Sequence, residues 1–96
     1  MTKADIVANI ANETGLEKTE VLRAVEAFMG TIKTSLSDGK SVYLRGFGSF
    51  IVKERAQKTG RNISKKTTII IPAHNIPSFK PSKTFVESVK RDVKVK

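Results

Sequence analysis

The chain has no cysteine and no tryptophan, and its 96 residues include one tyrosine, one histidine and three prolines. Without cysteine there is no disulfide, no thiol nucleophile and no thiolate metal site. The composition suits an intracellular, reducing compartment. No apolar run approaches the roughly 18 residues that span a bilayer. Met1-Thr2-Lys3 leads into an amphipathic pattern with acids, which is not the apolar core of a signal peptide, so a cytoplasmic protein is expected. The lone histidine, His74, has no acid near it in sequence and reads as a surface or rim residue. Carboxylates in the second half, Glu54, Glu87 and Asp92, are too scattered to hold catalytic metal ions. Neither a glycine-rich phosphate loop nor a nucleophile elbow occurs. The expectation is a non-enzymatic protein with no metal, cofactor, small-molecule substrate or membrane partner.

Acid is the other scarcity, and it is local. Residues 1–49 carry six bases and six acids, whereas residues 50–96 carry twelve bases and three acids, which accounts for the whole net charge of +9. Between Arg55 and Lys83 there is no acid at all. Such one-sided charge points to a polyanionic partner for the second half of the chain. The cations Arg55, Lys58, Arg61, Lys65 and Lys66 have the reach and charge that phosphate contacts need. The two arginines also suit a narrow minor groove, where the negative potential is enhanced. Lys3 and Lys83, with Ser82, fall at helix N-termini, where free N–H groups favour anions. Ser82 reads equally well as a helix cap. Lys53 and Arg45 are candidates by strand face alone.

The pattern predicts one α+β domain over residues 1–96. Thr2 and Asp5 form a capping-box pattern ahead of a helix from about 3 to 14, with Gly15 as its stop. A second helix from about 18 to 38 carries the stripe Val21, Val25, Phe28, Ile32 and Leu36, with Phe28 as a plain core residue. From Lys40 the period changes to two: Val42 and Leu44 alternate with Ser41, Tyr43 and Arg45 in a strand. Gly46-Phe47-Gly48 turns into a second strand, Ser49 to about Ala56. Turn signals fill Thr59-Gly60 to Lys66, and Thr67 to Ile71 is the returning strand. Pro72 and Pro77 confine the rest of that strand to an edge, a bulge or an irregular path. A final helix starts at Pro81-Ser82 and presents Phe85, Val86, Val89 and Val93, and the tail of about 91–96 frays.

The hairpin spanning residues 50–77 is too long for its outer half to rest on three short helices, and a lone two-stranded ribbon is marginal in water. The apolar residues assigned to its base, Phe47, Phe50, Ile69, Ile71, Phe79 and Phe85, exceed what one chain's sheet needs. A dimer that shares them is expected.

Two stretches, RGFGSFIVKERAQKTGRN (45–62) and IPAHNIPSFKPSKTF (71–85), resemble the bacterial HU/IHF family of histone-like DNA-bending proteins. The resemblance runs from about residue 2 to 90. It implies an intertwined dimer with a helical-hairpin base, a three-stranded antiparallel sheet, a short C-terminal helix and a long β-ribbon arm of about residues 53–75 that reaches into the DNA minor groove. By position it implies DNA contacts for Arg55, Lys58, Arg61, Asn62, Lys80 and Lys83, and a dimer core of Phe47, Phe50 and Phe79. Ile63 stands where the family usually has the proline wedge that enters between base pairs. The family's tip commonly reads Arg-Asn-Pro-x-Thr-Gly, against Arg-Asn-Ile-Ser-Lys-Lys here, so both proline and glycine are replaced. Isoleucine is bulky and stiff at χ1 but lacks proline's fixed φ and keeps its N–H.

The expected function is therefore architectural, nucleoid-associated binding and bending of double-stranded DNA by a homodimer, with a heterodimer open. RNA binding, for instance by a ribosome-associated protein, is the alternative that the charge allows, although Tyr43 alone offers no set of stacking aromatics. Binding at an anionic membrane surface fits less well, since the basic segment reads as strand-turn-strand and not as an amphipathic helix.

Overall fold

The computed structural model describes residues 1–62 and 67–95. The chain divides into two compact units, residues 1–35 and 36–96.

The first unit is a helical hairpin. Helix α1, Lys3–Thr14, starts from the expected capping box: the Asp5 N–H donates to Thr2 Oγ1 at 3.3 Å, and the Thr2 N–H donates to Asp5 Oδ2 at 2.9 Å. It stops at Gly15, whose N–H donates to the Ala11 carbonyl at 2.9 Å. Helix α2 is Lys18–Ser37, within a residue of the predicted span. Among the described residues, Val7, Ala11 and Val21 are the buried hydrophobics, with Ile10 and Val25 packed against them. Lys3 Nζ donates to Glu26 Oε1 at 2.5 Å and ties α1 to α2. Both side chains are about half exposed, so the pair contributes at most about 1 kcal/mol. Phe28 is 50% exposed in the single chain, on the part of the α2 stripe beyond the Val21 and Val25 contacts with α1.

In the second unit, β1 (Val42–Leu44), β2 (Gly48–Arg55) and β5 (His74–Pro81) form an antiparallel sheet in the order β1-β2-β5. Arg45 falls outside the strand to which alternation assigns it. The Phe47 N–H donates to the Leu44 carbonyl at 3.0 Å, closing a turn over Arg45 and Gly46. Gly46 has φ +81°, the left-handed value that the third position of a type II turn requires. Gly48 is needed for a different reason: a Cβ there would sit 2.6 Å from the Lys80 carbonyl oxygen and from the Phe79 ring.

Strands β3 (Lys58–Asn62) and β4 (Thr67–Ile71) pair as a two-stranded ribbon. The predicted turn is thus shorter than its composition suggests, since Thr59 to Asn62 pair in β3 opposite the β-branched run of β4. Ile69 and Ile71 belong to this ribbon and not to the base of the hairpin, and Ile71 is 41% exposed. Register is preserved between the two ladders: Arg55 opposes His74 and Lys58 opposes Ile71, with two unpaired residues on each side. Pro72 lies in that interruption, where its missing N–H breaks no ladder bond. Pro77 lies inside a regular β5 opposite Val52, which the edge position of β5 tolerates.

Helix α3 is Lys83–Asp92, so Arg91 and Asp92 are helical where fraying is expected. Ser82 caps it by accepting from the Phe85 N–H at 3.2 Å. The Ser82 hydroxyl also donates to the Gly46 carbonyl at 3.1 Å, and the Ser82 N–H donates to the Phe47 carbonyl at 2.9 Å. The β1–β2 turn and the start of α3 are thereby fastened together. Beneath them, Phe79 contacts Phe50, Phe47 and Phe85 with ring centroids 4.9, 5.2 and 6.3 Å away. Phe47 and Phe79 remain 45% and 37% exposed in the single chain.

Candidate nucleic-acid interface

Directly opposed residues of an antiparallel pair share a face, and successive residues alternate between faces. The β1-β2-β5 register therefore sorts its side chains into two sets. One face carries Val42, Leu44, Phe50, Val52, Pro77 and Phe79, with Glu54 and Asn75 at its far end. It holds no cation, and through Phe79 it meets Phe85 of α3. The other face carries Tyr43, Ser49, Ile51, Lys53, Arg55, His74, Ile76, Ser78 and Lys80. It holds three permanent cations and no acid. Period-two alternation thus separates an apolar side from a cationic one on the same three strands.

At the turn end of the sheet lies an open depression of about 480 Å³ lined by Tyr43, Arg45, Ser49, Lys80, Ser82 and Lys83 among others. Arg45 reaches it from the turn, Lys80 from β5, and Lys83 from the first turn of α3. Three cations from three separate elements border one hollow. Tyr43 is 75% exposed on the same side. The Ser82 hydroxyl is already committed to its cap and to the Gly46 carbonyl, so the helix-cap reading of this residue is realised.

At the other end the chain continues into the ribbon. Lys58 is exposed and opposes Ile71, and Arg61 and Asn62 pair with Thr68 and Thr67. Ile63, Lys65 and Lys66 lie outside the described residues. Lys3 is in the helical hairpin, in its ion pair with Glu26. The sheet thus brings together Lys53, Arg55 and Lys80 on one face, with Lys83 beside Lys80. His74, a surface or rim residue by its sequence, lies directly across from Arg55. The signal for it is register, visible only when β2 is aligned against β5. Among the described residues no group of three or more His, Asp or Glu side chains could hold a metal ion, and no helix is long and apolar enough to cross a membrane.

Comparison with known proteins gives one consistent result. The family model described as bacterial DNA-binding protein matches residues 1–90, leaving Arg91–Lys96 beyond it. DNA-binding protein HU of Thermus thermophilus is 41% identical over 91 residues, covering 95% of this chain and 94% of that protein. DNA-binding protein HU of Geobacillus stearothermophilus is 39% identical over 90 residues, covering 94% and 100%. Among solved structures, a cocrystal of Anabaena HU with DNA superposes with a TM-score of 0.89 at 35% identity, covering 93% of this chain and 97% of that one. HU from Thermotoga maritima gives a TM-score of 0.65 at 26% identity over 93% and 98%.

Proposed function

The chain belongs to the HU/IHF family of bacterial histone-like DNA-binding proteins, and from that premise we propose that it is an architectural, nucleoid-associated protein that binds and bends duplex DNA without catalysing a reaction. It works in the cytoplasm as an intertwined homodimer, in which residues 1–96 act as one domain. The observation that carries this reading is the separation of Lys53, Arg55 and Lys80 from the aromatic side of the same sheet. A cationic face without acids suits the phosphate backbone of a duplex. The opposite face supplies, in Phe50, Val52 and Phe79, the apolar surface that a second copy would cover. Tyr43 alone on the cationic face gives no stacking platform for unpaired bases, so nothing favours structured RNA as the partner.

In this layout Lys53, Arg55, Lys80 and Lys83 hold the body of the protein against phosphates, with Lys3 and Ser82 beside flanking backbone. Lys58, Arg61, Asn62, Lys65 and Lys66 contact the DNA along the minor groove. There Ile63 enters a base step, as apolar wedges do in the minor-groove architectural class to which HU and IHF belong. Unstacking one step costs a few kcal/mol, offset by the additional contact that a bent duplex makes. Phe47, Phe50 and Phe79 form the shared dimer core.

Cations placed against phosphates release condensed counterions, so log K should fall linearly with log salt, with a slope near −0.9 per contact. Titrating a labelled duplex from 50 to 200 mM salt should lower affinity by about 10³-fold or more for a dimer with six or more contacts. A nearly flat plot would remove the reading.

A further inference from the structure

The cationic face contains one histidine, which the proposed binding mode leaves unused. His74 begins β5, is exposed, and stands opposite Arg55, with Lys53 one pair further along the same face, opposite Ile76. Lys80 lies further along the same face of β5. On its other side the strand leads through Ala73 and Pro72 to Ile71, and Lys58 is the charged residue opposite that point. The nearest carboxylate in the ladder, Glu54, pairs with Asn75 and so lies on the opposite face. Nothing acidic on its own face partners the imidazole there.

Its hydrogen bond decides what the ring can do. Nδ1 lies 2.9 Å from the Pro72 carbonyl oxygen. A carbonyl only accepts, so Nδ1 carries the proton and donates. In the neutral ring this leaves Nε2 as a bare acceptor, which cannot bond a phosphate oxygen. In the imidazolium Nε2 also carries a hydrogen, and the ring becomes a charged donor while keeping its bond to Pro72. Histidine is the side chain whose charge changes within the physiological range.

We propose that His74 is a conditional phosphate contact, which joins the Arg55–Lys53 row when protonated and withdraws from it when neutral. The proposal rests on the duplex-binding reading above and adds a dependence on pH to it. By linkage, DNA binding takes up a proton at this position, and affinity for duplex rises as pH falls from 8 to 6.

The test is equilibrium binding of the full chain to a Cy3-labelled duplex of fixed sequence, titrated with salt at pH 6 and at pH 8. For the wild type, the slope of log K against log salt should steepen at pH 6 by about 0.9 for each His74 that gains a phosphate. His74→Gln, neutral at both values, should show the shallower slope throughout. His74→Lys, charged at both, should show the steeper one throughout. Any other group that titrates in this range is common to all three proteins. A wild-type slope that changes with pH no more than that of His74→Gln would overturn the proposal. If instead the slope is flat at both pH values, the duplex-binding reading itself has failed.

Discussion

Replacing Lys53 and Arg55 together by glutamine is expected to lower affinity for duplex DNA by about 10²–10³-fold near 0.1 M salt. The two residues alternate onto the same face of β2, with no acid beside them to compensate, and in a dimer the pair of substitutions removes four cations. If each meets one phosphate, the log–log salt slope should become shallower by up to about 3.6, which is 0.9 for each phosphate no longer neutralised. Both side chains are exposed, so folding stability should change by no more than about 0.5 kcal/mol. The control is Lys33→Gln, which removes an exposed charge from α2 and none from the cationic face. Binding isotherms at three salt concentrations would separate the outcomes. An equal loss in the control would mean that net charge matters and the sheet face does not.

The second large effect concerns stability. Phe79→Ala removes the ring that contacts Phe47, Phe50 and Phe85 at once. Phe79 is 37% exposed in the single chain. A partly exposed ring gives up only part of its transfer free energy when removed. If a second copy covers it, the cost should rise to the range of about 3–5 kcal/mol typical of buried phenylalanine. For a domain of this size that lowers Tm by roughly 15 °C or more. Thermal unfolding of wild type and variant at several protein concentrations would measure it. The wild-type Tm should rise with concentration, because dimer formation is linked to folding. A loss near 1 kcal/mol together with a concentration-independent Tm would indicate that the aromatic cluster is not shared.

The elements legible in the sequence are those whose determinants are local. Thr2, Asp5 and Gly15 bound α1 by hydrogen bonds reaching at most four residues, and composition suffices to find them. The elements that escape depend on partners distant in sequence. Pro72 and Pro77 read alike in isolation, yet one falls in an interruption and the other inside an edge strand. Only the pairing of β5 with β2 tells them apart. Alternation carries Arg45 one residue too far into β1, because the left-handed turn at Gly46 overrides periodicity. Phe28 sits on the apolar stripe of α2, but a stripe does not say which part of it the hairpin covers.

The candidate site divides in the same way. Segregation of charge between the two halves of the chain is visible in composition, as is the alternation that puts Lys53 and Arg55 together. The placement of Lys80 and His74 on that face requires the register of a strand some twenty residues away. The hollow bordered by Arg45, Lys80 and Lys83 requires in addition the Ser82 bonds that fasten α3 to the turn.

If this protein bends DNA as well as binding it, ligase-mediated circularisation of duplexes of about 100 base pairs measures the bend directly. Such fragments are shorter than the persistence length of about 150 base pairs, so they seldom close unaided. Addition of the wild-type protein should strongly raise the yield of closed circles. If Ile63 is the wedge proposed above, Ile63→Ala should bind with modest loss and close far fewer circles. Saturating, salt-sensitive binding with no gain in circles would mean that the protein binds DNA without bending it.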